Sequence, residues 1–252
     1  MKKYTINKYL LRLIGVILFI LLWQTLSMII GETTFIFPSP YITIKEALSL
    51  LSESYIYKCL VQTMFRMLAG FMISLLLAFV LGIIAGNYEN IEEILKPIIS
   101  VFKSVPTASL VYLFLVIAGA KMTPLFIVMM VSFPILYESV VGGIKSTPTI
   151  LLESSSLDGA KFFTINTKIR IPLAIPYIVV GIASSFGLSL KIEIMAEVIT
   201  GYTRLGLGSA ILAAQRSDPT NMVPVFAYSL IAIALILVID SFSELIKSKY
   251  SQ

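Results

Sequence analysis

The chain has 252 residues, 58% of them hydrophobic and only 13% charged, with a formal net charge of +5. A soluble domain carries about 25% charged residues, so this deficit, with a mean hydropathy of +0.94, points to a membrane protein. The lack of histidine removes the commonest general base and transition-metal ligand, and a single cysteine, Cys59, excludes an internal disulfide and a cysteine-based zinc site. The basic excess does not imply nucleic acid, because no cluster of Lys and Arg is interleaved with aromatics; cytoplasmic-side basic residues account for it equally well.

A helix needs about 20 mostly apolar residues to cross the hydrocarbon core. The first candidate is 11–30, LRLIGVILFILLWQTLSMII, which follows MKKYTINK. It is long for a signal peptide and no Ala-x-Ala site follows, so it is expected to be an uncleaved anchor helix. Pro38 and Pro40 then interrupt the chain, and 41–52 reads as a short amphipathic helix at the surface. Further spans are expected at 60–86, at 94–118 with a break at KSVPTAS, at 123–142, at 173–199 and at 222–242. The chain thus divides into 1–58, an anchor with an external amphipathic segment, and 59–252, a five-helix core. The expected fold is an all-α integral membrane protein of about six helices.

Six spans place both termini on one side, and basic residues choose the side. With the N-terminus inside, inner segments hold Lys2, Lys3, Lys8, Arg12, Lys96, Lys145, Lys161, Lys168, Arg170, Lys247 and Lys249. Outer segments hold Lys45, Lys58, Lys121, Arg204 and Arg216. This bias predicts cytoplasmic termini and a cytoplasmic loop at about 146–172.

That loop is a polar insert, LLESSSLDGAKFFTINTKIRIP (151–172), between two apolar runs. It can form a short helix, with Thr147 as a candidate N-cap and Pro148 at the first helical position. Leu151, Leu152 and Leu157 make an apolar strip that Phe162 and Phe163 extend, while Glu153 and Asp158 lie on the polar side. Gly159 would let another backbone approach closely. A solvated connector is the plain alternative, but leucines and paired aromatics are poor surface residues, and they make sense if a soluble partner docks there.

The same residues carry a family resemblance. Glu153, Ser154 and Ser155, then Gly159 with Ala160, then Ile169 and Ile171-Pro172, resemble the Glu-Ala-Ala loop of permease subunits of ABC importers. Two alanines are serines here and a leucine is isoleucine. FPSPYITIKEAL (37–48), TMFRMLAGF (63–71), KPIISVFKSVPTASLVYLFLVIAG (96–119), PLAIPYIVVGI (172–182), AEVIT (196–200) and GLGSAI (206–211) are similar to the nitrate, sulfonate and taurine branch. The resemblance implies a type I importer fold and a homodimer of permeases. It implies two ATPase subunits that carry ATP and Mg, an external solute-binding protein, and no cofactor on this chain. It also implies that Glu153, Ser154, Ser155, Leu157, Asp158, Gly159, Ala160, Phe162 and Phe163 couple the chain to the ATPase.

Ionisable groups inside spans are costly and often functional. Lys103, Lys191, Glu193 and Glu197 are candidates for a pathway or gate, against the simpler reading that the fifth span ends near Lys191 and its charges face outer water. Arg66, toward the outer half of the second span, reads most simply as a snorkelling side chain. Glu138 and Asp240 read as interface residues. Two rivals remain: an ion-coupled secondary transporter using Lys191, Glu193 and Glu197, disfavoured by six spans without a repeat, and a membrane enzyme, disfavoured by the lack of any nucleophile–base or metal-ligand pattern.

Overall fold

The computed structural model describes residues 8–30, 36–201 and 205–250. Lys2, Lys3 and Arg204, which entered the charge bias, lie outside them. The described residues are helical: α1 Lys8–Ile30, α2 Pro40–Leu50, α3 Ser54–Asn87, α4 Glu89–Ser104, α5 Thr107–Lys145, α6 Thr149–Leu157, α7 Phe162–Ile165, a π-helical turn Asn166–Arg170, α8 Ile171–Thr200, α9 Leu207–Ser217 and α10 Val223–Tyr250. Among them, 5 helical stretches are long and apolar enough to cross a membrane by length and composition: Leu10–Ile30, Ser54–Asn87, Thr107–Lys145 (two helices meeting at Gly119), Phe162–Thr200 and Val223–Tyr250.

The expected span at 94–118, with its break at KSVPTAS, and the expected span at 123–142 correspond to α4 with the first part of α5 and to the rest of α5. Pro106 disfavours helix at the residue before it, and Val105 is extended (φ −73°, ψ 128°), which ends α4 at Ser104. The chain then runs as α5 through both expected spans, broken at Gly119 (φ 72°, ψ 162°). Only glycine tolerates that conformation without strain.

The chain divides into two compact units, Met1–Tyr57 with Ala210–Ile233, and Lys58–Ser209 with Ala234–Gln252. The sequence division at residue 58 is contiguous; the observed first unit also takes in part of α9 and the start of α10. Aromatic packing explains this. Trp23 and Phe37 both lie against Phe226, with ring centroids 6.3 and 5.4 Å apart. Trp23 Nε1 also donates to the Pro38 carbonyl (3.0 Å), and Ser27 Oγ to that of Phe37 (3.0 Å), which ties α1 to the start of α2. Ser39 caps α2 and Pro40 takes its first position.

The second unit is built on α3, α5 and α8. Gly82 and Gly86, four residues apart on one face of α3, meet Val140 and Ile144 of α5; a Cβ at either glycine would stand 2.7 Å from those side chains. In a bilayer, apolar surface gains little by leaving lipid, so close van der Waals packing over small residues holds helices together. Val140, Ile144 and Ala174 form a buried core with Phe79, Ile83, Ile171 and Ile178 around it. A buried Ser132–Ser189 hydrogen bond (2.7 Å) joins α5 to α8. Cys59 is buried and free.

Candidate functional site

Two regions of the second unit stand out, at opposite ends of α3 and α8. The first is the polar insert. Its helix α6 starts at Thr149, with Pro148 as the N-cap (φ −57°, ψ 133°) and no side-chain cap; Thr147 Oγ1, the expected cap, is buried without a hydrogen-bond partner among the described residues. At the other end the Ala160 amide donates to the Ser155 carbonyl (3.0 Å) and the Gly159 amide to that of Ser156 (3.0 Å). This is a Schellman stop, and Gly159 holds its left-handed position at φ 74°. The glycine therefore serves the turn; apart from its own chain neighbours, no atom of the described residues comes within 4 Å of where its Cβ would be.

The acids and apolar residues of the insert face outward. Leu157 is 88% exposed and Phe163 76%, with Ile150, Leu151 and Phe162 also exposed. Glu153, Ser154, Asp158 and Gly159 are exposed too, while Ser155 and Ala160 are half-buried. Ser155 and Ser156 spend their hydroxyls on the carbonyls of Leu151 and Glu153 within α6.

Beyond Gly159 the chain re-enters helix at α7 and continues without interruption to Thr200. Pro172 lacks an N–H and crowds the turn before it. The backbone widens there into the π-helical turn Asn166–Arg170. Asn166 Nδ2 donates to the Phe162 carbonyl (3.0 Å) and Thr167 Oγ1 to that of Phe163 (2.8 Å). The same turn touches the end of α3. Asn87 Nδ2 donates to Asn166 Oδ1 (2.7 Å), and Arg170 Nη1 donates to Asn87 Oδ1 (2.5 Å) and more weakly to the Gly86 carbonyl (3.5 Å).

The second region is a buried carboxylate. Glu197 is 0% exposed. Its oxygens accept from Thr63 Oγ1 (2.9 and 3.0 Å), Arg66 Nη1 (2.7 Å) and the Gly208 amide (2.9 Å). Arg66 Nη2 donates to the Leu205 carbonyl (2.9 Å), and Thr63 Oγ1 accepts from the Leu207 amide (2.8 Å). Glu197 thereby ties the Leu205–Gly208 segment to α3. The two glycines are explained by proximity: a Cβ at Gly206 would meet Glu197 Oε1 at 2.6 Å, and Gly208 lies against the Ile194 carbonyl and Glu197 Cβ. Arg66 is thus an ion-pair partner inside the fold.

The structure sends Lys103 and Lys191 to separate ion pairs and leaves Glu193 and Glu197 one turn apart in the buried part of α8. Helix α8 runs on to Thr200, so none of its charges marks the end of the span. Lys191 pairs with Asp240 of α10 (3.0 Å), whose carboxylate occupies the space a side chain at Gly187 would need. Lys103 pairs with Glu138 (2.8 Å). Both pairs are about half-exposed. Glu193, one turn before Glu197, is 0% exposed, and neither of its carboxylate oxygens has a hydrogen-bond partner among the described residues. Lys191, Glu193 and Glu197 therefore form no continuous relay, and nothing supports the ion-coupled alternative. The sequence reading missed the roles of Thr63, Asn87, Asn166 and Asp240. The available signals were one arginine and two glutamates in otherwise apolar spans, and two asparagines at helix ends.

The family described as binding-protein-dependent transport system inner membrane component matches residues 78–252. A putative ABC transporter permease protein of Methanocaldococcus jannaschii is 30% identical over 188 residues, which cover 73% of this chain and 68% of that protein. A putative aliphatic sulfonates transport permease protein of Bacillus subtilis is 26% identical over 231 residues, 91% of this chain and 82% of that one. A crystal structure of an amino acid ABC transporter aligns with a TM-score of 0.65 at 17% identity, over 80% of this chain and 97% of the matched chain. At that identity the likeness shows the fold.

Proposed function

This chain belongs to the family of binding-protein-dependent transport system inner membrane components, and on that premise we propose that α6 and α7 dock a separate ATPase subunit and pass its motion into the membrane. The chain is a multi-pass permease subunit of an ABC importer, with the type I fold. The observation that carries the docking proposal is the exposed run Leu157–Phe163 at the foot of a helix that continues unbroken to Thr200. Exposed leucine and phenylalanine side chains provide apolar docking area. Glu153 and Asp158 beside them give register, since charge complementarity sets orientation more than affinity. A helix fixed rigidly to a span transmits a rigid-body displacement.

In this reading two such chains form the permease, each α6 in a groove of one ATPase subunit. ATP and Mg reside on the ATPase, and this chain binds no cofactor. The α6 end faces the cytoplasm, as the distribution of basic residues indicates. An external binding protein delivers the solute to the opposite face. The half-exposed pairs Lys191–Asp240 and Lys103–Glu138 would be costly against acyl chains, so they face the water-filled passage, where the lysines suit an anionic solute. The sulfonate relative supports an organosulfonate; other oxyanions and vitamin precursors fit the same passage.

The test is co-purification. The tagged chain is extracted gently from native membranes and its companions are identified by mass spectrometry, beside a control carrying Leu157→Glu and Phe163→Glu. The expected result is a subunit with an ATP-binding GxxxxGK[ST] sequence that is lost in the control. An ATPase retained in the control removes the docking role from α6 and α7. The external protein recovered with the complex is then screened against sulfonates.

A further inference from the structure

The coupling segment is held at both shoulders by one corner of the fold, the junction of α3 and α4. Before α6, Lys145 at the end of α5 pairs with Glu92 in the first turn of α4. After α6, the ring of Phe162 stacks on Tyr88 (centroids 5.8 Å apart, planes at 22°). Next to it, Asn87 bridges Asn166 and Arg170. Every hydrogen-bonding group of the Asn87 side chain is used, since Nδ2 also donates to the Ile83 carbonyl of its own helix (2.7 Å). Arg170 adds a cation at the C-terminal end of α3, where the helix dipole and the last carbonyls favour one. Asn166 is buried.

We infer that Asn87 is a positioning residue for transport. With Tyr88 and Glu92 it makes the α3–α4 corner a second arm of the coupling device, moving α3 together with α6 and α7, beside the covalent path into α8. This rests on the docking role given to α6. The consequence lies far from the corner: α3 carries Thr63 and Arg66, and through Glu197 it holds the Leu205–Gly208 segment. A displacement at the α6 end therefore reaches the opposite end along α3 as well as along α8. The hydrogen bonds of the Asn87 bridge, shielded in part from water, fix both Asn166 and Arg170, so the corner and the turn move as one body.

The test uses the whole transporter purified from its own membranes and placed in nanodiscs, with Cys59→Ala to remove the native thiol. Spin labels on Phe65→Cys in α3 and Val116→Cys in α5 report α3; labels on Leu188→Cys in α8 and the same α5 site report α8. All three positions are exposed. Distances are measured without nucleotide and after trapping with ATP and vanadate. Asn87→Ala is expected to cut the α3 shift by at least about half while the α8 shift and ATP hydrolysis stay within about twofold, the pattern of a selective coupling loss. Asn87→Asp, which keeps the acceptor for Arg170, is expected to restore most of the α3 shift. Asn166→Ala combined with Asn87→Ala adds little beyond the single change, since both act in one bridge. Equal loss of both shifts in Asn87→Ala, or no loss in either, overturns the second arm. If trapping moves neither pair in the unsubstituted complex, the docking reading fails, and this inference with it.

Discussion

The two ends of α3 and α8 solve opposite problems. At the Glu197 end a fully buried carboxylate finds its partners, Thr63, Arg66 and the Gly208 amide, within the chain. At the α6 end Leu157 and Phe163 stand largely exposed among the described residues. The first arrangement is complete as folded. On the docking proposal, the second gains its stabilisation only when an ATPase subunit covers it. Substitutions at the two ends should therefore separate stability from assembly.

The largest effect is expected at the sealed end. Removing one partner from a buried ion pair costs about 3–5 kcal/mol, so Glu197→Ala and Arg66→Ala should each lower the unfolding midpoint sharply in detergent. The double variant should lose much less than the sum, as residues of one network do. Glu193 breaks the symmetry within that end. Its carboxylate is buried with no hydrogen-bond partner among the described residues, so Glu193→Met should stabilise by about 1–3 kcal/mol in the same unfolding assay, while Glu197→Met destabilises. Equal and opposite behaviour of two glutamates one turn apart would sharpen the contrast; loss of stability in both would break it.

At the exposed end the signs reverse. Phe163→Ala and Leu157→Ala should change stability by less than about 0.5 kcal/mol, as surface substitutions do. Affinity for the ATPase should fall by about tenfold or more, read by quantitative pull-down, as for an interface anchor. Gly159→Ala sits between the two cases. Its left-handed backbone costs a side chain about 1–2 kcal/mol, which should fray the end of α6 and weaken ATPase binding without unfolding the spans. The smallest stability effect belongs to Lys191→Met. It breaks a half-exposed pair worth about 0–1 kcal/mol, yet it should slow uptake of an anionic solute more than it shifts the unfolding midpoint.

Much of the α6 end was legible in the sequence, because its signals are local. The serine and leucine pattern, Gly159 and Pro172 fall within one short run. The reason for Gly159 was not legible: a glycine chosen for a positive φ and one chosen for close packing look alike in sequence. The sealed end was illegible for a different reason. Arg66 and Glu197 stand 131 residues apart, and spacing carries no information about which distant spans touch. Charges read along one helix suggested a cluster of Lys191, Glu193 and Glu197; the fold instead pairs Lys191 with Asp240, binds Glu197 to Arg66 and Thr63, and leaves Glu193 buried one turn away with no hydrogen-bond partner among the described residues. The long apolar spans were readable from hydropathy, but the division of 94–118 was only half so. Pro106 announced the end of α4, while the break at Gly119 and the resumption of helix through Lys121 carried no such local signal.

The most direct test of the account is site-specific photo-crosslinking in native membranes. A photoreactive phenylalanine analogue is placed at Leu157, at Phe163 and, for comparison, at Val61, which is exposed near the opposite end of α3. The account predicts that Leu157 and Phe163 each join this chain to an ATPase subunit and that Val61 does not. Adducts of Leu157 and Phe163 that contain only lipid, or an ATPase adduct from Val61 instead, would contradict it.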